Sequence, residues 1–365
     1  GTSRQGVSCF DGQAWYHFGE QAAGQSILAL WGDGQGTIWA GTLLEGVSRY
    51  DGHTWRRFPV VQGSGSNTVQ AIWGDRQGRI WFGTAQGVLL YDQGRWDAFQ
   101  IRDSLPDANV QAVWADNAGG VWLGTAGAGI AHHRDGRWQV FTERDGLPGN
   151  RITHLWGSGP DDVWAACGSD GVAHYDGYRW QALPHDEGLG YHHVHQLWQD
   201  GQGSLWLATS GGLKRFDGWQ WRTFTTRDGL AADEVTRVAG DNAGNLWVAY
   251  RWLEAEPGSS ASHGWPGGVG RYDGRQWTSF TQADGLGSNY LHALWPDADG
   301  RVWAGGVGPL SRFEGGRWQV VEGGVGGVTA IWGDGKGTLW FGSEQRAGNQ
   351  LEAAVSRLAN ATWRH

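Results

Sequence analysis

A tryptophan-rich segment recurs along the chain at a nearly fixed interval, and no other feature limits the possible folds as sharply. The stretch GDGQGTIWAGT at residues 32–42 returns as GDRQGRIWFGT from Gly74, ADNAGGVWLGT from Ala115, QDGQGSLWLAT from Gln199 and GDGKGTLWFGS from Gly333. Each copy sits in an apolar strand ending in Trp, a D-x-x-G turn and a second Trp strand. The pairs are Trp31/Trp39, Trp73/Trp81, Trp114/Trp122, Trp156/Trp164, Trp198/Trp206, Trp295/Trp303 and Trp332/Trp340. A further copy, sixth in the chain, keeps Asp241, Gly244 and Trp247 but has Ala239 in place of the first Trp. The first Trp of each pair recurs every 41 or 42 residues, until one interval stretches to 56 and the next shortens to 37. A period of this length holds four short strands.

The second half of the period is G-V-x-x-Y-D-G-x-x-W-x-x-F, as in GVSRYDGHTWRRF from Gly46, GVAHYDGYRWQAL from Gly171 and GVGRYDGRQWTSF from Gly268. Both halves read as hairpins, runs of Val, Ile, Leu, Trp and Tyr around Gly/Asp/Asn turns. Two hairpins make one four-stranded sheet per repeat. A lone sheet of this size buries neither face, so the copies must stack, and radial stacking gives an all-β fold, a β-propeller. A linear solenoid has much shorter repeats. The 64 glycines among 365 residues fit a chain made of turns and strands.

The repeated turn reads as scaffold. Asp33 can accept backbone N–H groups, Gly36 can take positive φ, and Trp39 then points between sheets. A buried Trp removes about 150–250 Å² from water, about 4–6 kcal/mol at ~25 cal/mol/Å² before entropy. Of the 27 Trp, 24 fall in three repeated columns, so structure accounts for nearly all of them.

These residues resemble the two-component regulator propeller repeats, whose pattern is close to I-x-x-D-x-x-G-x-hydrophobic-W-hydrophobic-G-T followed by G-hydrophobic-x-x-Y-D. The DGL of RDGLPGNRITHLW from Arg144, RDGLAADEV from Arg227 and ADGLGSNYLHALW from Ala283 also fits. The resemblance spans essentially the whole chain. It implies a bacterial sensor-type propeller that binds a ligand, with an extracytoplasmic location, periplasmic or secreted. No immunoglobulin-like, histidine-kinase or response-regulator segment accompanies it, so signalling output is not encoded in these residues.

Residues 1–365 are expected to form a single propeller. Eight first hairpins and nine second hairpins occur, counting GVSCFDGQAWYHF from Gly6 and the degraded AVSRLANATWRH from Ala354. Eight blades is the economical reading, with residues 6–18 closing the ring on the last repeat near Trp332 and Trp340; a nine-bladed parent is the alternative.

The formal net charge of −9, with no basic stripe, opposes nucleic-acid binding and contact with an anionic membrane. Cys9 and Cys167 lie in different repeats without metal-type spacing and read as free and buried.

Function is expected where the copies differ. The links into the first strand of each repeat vary most, and in a propeller they share the face that rims the channel. They carry Arg151 and His154; Tyr191, His192, His193 and His195; Asp233, Glu234 and Arg237; Asn289, Tyr290 and His292. In GYHHVHQLW from Gly190, His193 and His195 share a strand side, but the sequence fixes no third ligand and no metal is expected. The insertion RWLEAEPGSSASHGWPGG places Trp252 and Trp265, with Glu254, Glu256 and His263, on the same predicted face, for stacking on a sugar or as a flap. The candidate ligand-binding set is therefore Arg151, His154, Tyr191, His192, His193, His195, Arg237, Trp252, Trp265, Tyr290 and His292. No catalytic residue and no cofactor are expected: the carboxylate pairs diverge on an extended chain, and no G-x-S-x-G, P-loop or zinc-protease motif occurs. The expected function is a non-enzymatic sensor-type propeller that binds a small polar ligand or glycan at the channel mouth. The alternatives are a protein-interaction or scaffold propeller and, after that, a polysaccharide-active enzyme.

Overall fold

The structure is a computed structural model that describes residues 6–10, 12–19, 27–58, 66–99, 109–183, 192–251, 267–321, 326–334, 337–347 and 350–362. Side chains are described for these residues except 6–19 and 344–362, where only the strand course is given. Among the described residues, regular structure is β apart from three single-turn 3-10 helices.

Two compact units divide the chain. The first, residues 19–194, holds four antiparallel sheets spanning 27–58, 69–99, 110–141 and 154–182, each with its four strands in chain order. In the first of them the strands are Ile27–Gly32, Ile38–Thr42, Val47–Tyr50 and Trp55–Phe58. The second unit, residues 195–365 with 7–18, holds sheets at 194–224, 235–280 and 291–320 and one five-stranded sheet. That last sheet contains Val328–Gly333, Leu339–Ala347 and Gln350–Thr362 together with Gly6–Phe10 and Gly12–Gly19. Cys9 and Arg357 both register opposite Trp340.

The recurrent turn does what its residue types require. Asp33 Oδ1 accepts the backbone N–H groups of Gln35 at 2.7 Å and Thr37 at 3.0 Å, and Gly36 has φ of 105°. In five of the other sheets the second carboxylate oxygen takes the indole: Trp81 Nε1 donates to Asp75, Trp122 to Asp116, Trp206 to Asp200, Trp247 to Asp241 and Trp303 to Asp297, at 2.7–3.2 Å. The turn and the core tryptophan are thereby one unit.

The second Trp of each pair lies between sheets with a cationic or imidazole residue of the third strand over it. Arg49, Arg215, Arg271 and Arg312 lie 5.5–5.6 Å from the rings of Trp39, Trp206, Trp247 and Trp303, and His132 and His174 stack on Trp122 and Trp164 at 3.8 and 4.2 Å. Leu90 occupies this position opposite Trp81, and there Arg79 of the turn covers the ring at 5.4 Å.

Trp31, Trp114, Trp198 and Trp295 each pack on a glycine of the next sheet, Gly74, Gly157, Gly240 and Gly333. A Cβ on Gly74 would meet Trp31 Cζ2 at 2.1 Å, and one on Gly240 would meet Trp198 Cη2 at 2.5 Å. Where Ala239 replaces the Trp, the following sheet has Pro296 at the glycine position. A cavity of about 230 Å³ lies there, lined by Gly240, Asn242, Trp295, Pro296 and the turns beside them.

The DGL segments are 3-10 turns. Thr142 and Asp145 form a capping box around Glu143–Asp145, Gly146 closes it at φ 106°, and Leu147 is buried. Asn150 Oδ1 accepts Glu143 N–H at 3.0 Å; Asp233 and Asn289 take the same role toward Thr226 and Gln282. These three polar residues belong to the scaffold.

Candidate functional site

Six of the first strands begin with a bulge. Register slips by one residue between Ile27 and Ala29, Val69 and Ala71, Val110 and Ala112, Val235 and Arg237, Leu291 and Ala293, and Val328 and Ala330. The bulged residue escapes the ladder and is re-aimed, a common device beside binding sites. Leu28, which holds this place in the first sheet, is exposed. In the last three of the six slipped strands the bulge residues are Thr236, His292 and Thr329; in the sheet 194–224 the same sequence position is His195.

The residue after the bulge is Ala in five sheets, and each of these faces a glycine across the ladder: Ala29 and Gly41, Ala71 and Gly83, Ala112 and Gly124, Ala293 and Gly305, Ala330 and Gly342. Three consecutive repeats break this pattern at both ends. His154 faces Ala166 and Arg237 faces Ala249, while Gln196 and Ala208 hold the corresponding positions of their sheet. The glycines are required for close approach: a Cβ on Gly83 would lie 2.9 Å from Val110 Cγ1, and one on Gly305 2.5 Å from Val328 Cβ. Where alanine takes the place of the glycine, the residue across the ladder is a larger polar one.

Four of the predicted residues, His195, Arg237, Tyr290 and His292, lie in the second unit. His195 Nε2 is 2.8 Å from Glu234 Oε1, and Arg251 Nη1 donates to the same oxygen at 3.2 Å. Glu234 is buried, while Arg251 is 49 % exposed and brings the network to the surface. Gln196 Oε1 accepts the Val238 N–H at 2.9 Å, tying one sheet to the next. Arg237 Nη1 donates to the carbonyl of Thr236 at 2.8 Å, and burial holds its guanidinium below the usual range. His292 is likewise held below the ordinary imidazole value, first by burial and then by the charge of Arg237, and the strands that carry the two residues, Val235–Gly240 and Leu291–Pro296, pack against each other. Tyr290, partly exposed, packs edge-on against His292 at 4.7 Å.

The remaining predicted residues belong to the first unit or lie outside the described residues. In the first unit Arg151 is exposed, His154 Nδ1 lies 3.3 Å from Thr153 Oγ1, and His192 and His193 are half-buried at the end of that unit. Tyr191, Trp252 and Trp265 lie outside the described residues, as do Glu254, Glu256 and His263. Among the described residues no group of three or more His, Cys, Asp and Glu side chains is placed to hold a metal ion. Cys167 is buried and its thiol is pushed up to about 12, so it is protonated and inert. The side chain of Cys9 lies outside the described set.

Gln196 and Arg251 escaped the reading of the sequence, and Glu234 entered it among the variable link residues but not in the candidate ligand-binding set. The signal that finds Gln196 is the joint change of two columns, Ala to a large polar residue and Gly to Ala, which a scan of single columns misses.

Among the described residues no helix is long and apolar enough to cross a membrane. No protein-family model matches the chain, and no curated protein matches it. Solved structures do. The extracellular domain of a hybrid two-component system from B. thetaiotaomicron is 17% identical over 94% of this chain and 59% of its own, with a TM-score of 0.48. Virginiamycin B lyase from Staphylococcus aureus is 13% identical over 76% of this chain and 91% of its own, at 0.55, and YCF48 bound to D1 peptide is 15% identical over 80% and 93%, at 0.54. The chain thus spans about three fifths of the two-component-system domain it matches. The lyase and YCF48 likenesses are of fold alone: both are propeller proteins, and the repeated four-stranded sheets of this chain are those of a β-propeller.

Proposed function

We propose that this chain is a sensor-type, ligand-binding propeller that takes a small polar ligand or a glycan at the bulged ends of its first strands. The observation that carries this reading is the break in the Ala/Gly pattern. Almost every other repeated residue is spoken for by turns, caps or Trp packing, whereas His154, Gln196 and Arg237 replace a core alanine with hydrogen-bonding groups in successive repeats. His195, Glu234, Arg251, His292 and Tyr290 add polar groups around two of those positions. Concave sites with a few convergent polar groups are where propellers and other scaffolds bind small molecules.

The role proposed is recognition rather than catalysis, because Glu234 is already committed to His195 and Arg251. The finer architecture belongs to the same proposal: one ring of eight blades, closed by residues 6–18 on the last sheet, in an extracytoplasmic protein of the two-component regulator propeller type. The alternative is a propeller that docks a protein partner on this face.

A thermal-shift screen against neutral and acidic glycans and small metabolites tests the proposal. A hit whose affinity falls at least about tenfold in both His195→Ala and Arg237→Gln supports it, since each removes a polar contact made in a buried setting. Stabilisation by no member of the screen, together with a stoichiometric protein partner whose binding those substitutions abolish, replaces it with the alternative.

A further inference from the structure

Arg237 is an unusual residue to find where five other sheets have alanine. A guanidinium carries five N–H donors in a flat fork, and among the described residues Arg237 uses one of them, on the carbonyl of Thr236. No described carboxylate lies within ion-pair reach of it. Arg237 is half-buried, and a cation largely withdrawn from water without a counter-charge is costly, so folded proteins rarely keep one unless something else supplies the anion. The nearby carboxylate, Glu234, is held by His195 and by the half-exposed Arg251. Glu234, Arg237 and Arg251 thus set one carboxylate against two guanidinium groups, and the strand packed beside that of Arg237 carries His292, with the partly exposed Tyr290 edge-on against its ring.

On the ligand-binding reading given above, we infer that Arg237 and His292 form a subsite for a carboxylate group, so that the ligand is an acid such as a uronic-acid-containing saccharide. A single excess positive charge balances one carboxylate, and the planar fork of Arg matches the two oxygens of a carboxylate in a bidentate pair. His292 supplies a further donor from the neighbouring strand. The backbone arranges this: the bulge turns His292 out of its ladder, and Arg237 stands just past the bulge of its own strand, across from the small Ala249.

The test uses acetate as the probe, titrated into the whole chain at constant ionic strength against chloride, while the ring resonances of His292 are followed by NMR. Glucuronate and glucose are titrated in parallel. The expected result is a saturable shift with acetate and with glucuronate, none with glucose, and at least about tenfold weaker binding of both acids in Arg237→Gln. The paired variant Arg237→Ala/Ala249→Gly restores the Ala/Gly pair of the other five sheets, so it keeps the fold and should also lose the response. Arg237→Lys keeps the charge without the fork and should bind the acids more weakly than the native chain. No response to acetate or glucuronate, or an equal response in Arg237→Gln, overturns the carboxylate subsite. If neutral glycans from the screen then bind native chain and Arg237→Gln alike, the ligand-binding reading stands without it; if none of them binds, both fall.

Discussion

Arg237 stands directly across its ladder from Ala249, at the place where Ala112 stands across from Gly124. The residue types at the two positions change together, and the glycine explains why. A Cβ on Gly124 would come within 2.6 Å of Ile152 Cγ2 in the next sheet. Gly124→Ala is therefore expected to lower stability by about 1–3 kcal/mol through overpacking. Ala112→Arg is expected to cost at least as much, because no space has been opened for it. The double variant should cost less than the sum by about 1 kcal/mol, since the methyl makes the room that the arginine needs. Urea unfolding of all four proteins measures this coupling, and strict additivity would refute the link between the two positions.

The turn aspartates predict an ordering of losses. Asp116 is buried and accepts from Ala118 N, Gly120 N and Trp122 Nε1 at 2.8–3.2 Å, while Asp51 makes its bonds in an exposed turn. Asp116→Ala is expected to cost about 3 kcal/mol or more, leaving buried donors unsatisfied. Asp51→Ala should cost clearly less, because water replaces the lost acceptor. Chemical denaturation of the two variants side by side tests the ranking.

His132 makes stability depend on pH in a definite direction. It is stacked on Trp122, and burial lowers its pKa from 6.5 to about 4 even though Asp116 lies 3.9 Å away. The folded value is below the unfolded one, so the unfolded chain takes up the proton first. The contribution is complete above about pH 6.5, declines as the pH falls and is gone near pH 4, with a full size of about 3 kcal/mol. His132→Leu copies Leu90 in the neighbouring sheet and should flatten that part of the profile. The measurement is the difference in unfolding free energy between the two proteins at pH 7 and at pH 4.5; an unchanged difference would count against the buried neutral imidazole.

Lys214 is expected to act in the alkaline range. It is almost wholly buried, its amine donates to Thr223 Oγ1 at 3.3 Å, and burial lowers its pKa from 10.5 to about 8. The folded pKa again lies below the unfolded one, so stability should rise between about pH 8 and 10.5 as the amine sheds its proton. Lys214→Leu, matching the buried Leu89 of another sheet, should be more stable than the native chain by about 1–3 kcal/mol at pH 7 and should lose the alkaline rise. Thermal unfolding across pH 7–10 reads both effects.

Much of this architecture could be read from residues alone, because it is periodic. The Trp pairs, the Asp and Gly of each turn and the two hairpins per repeat recur often enough to be separated from chance, and the sheets follow them. Two layers escaped that reading for the same physical reason. The Arg/His column over the core Trp lies across a ladder from it, and the Ala/Gly pair joins residues about twelve apart on neighbouring strands. Neither relation appears until register is known. The candidate site was legible at His195, Arg237, Tyr290 and His292 because those residues break a local pattern. Asn289 and Asp233 broke it too, and proved to cap 3-10 turns. Gln196 and Arg251 were missed because each is an ordinary residue until its partners, Val238 N–H and Glu234, are placed beside it.

The paired Ala/Gly position also constrains how such a chain can diverge. A sheet at the Ala/Gly setting reaches the Arg/Ala setting by two separate substitutions, and the order matters. Enlarging the alanine first places a long side chain where no room exists; adding the methyl first loosens one inter-sheet contact and leaves the fold otherwise intact. Ala opposite Ala is the passable intermediate, reached only by a lineage with stability to spare. His154, Gln196 and Arg237 follow one another in successive repeats, so three neighbouring copies along the chain have each taken both steps.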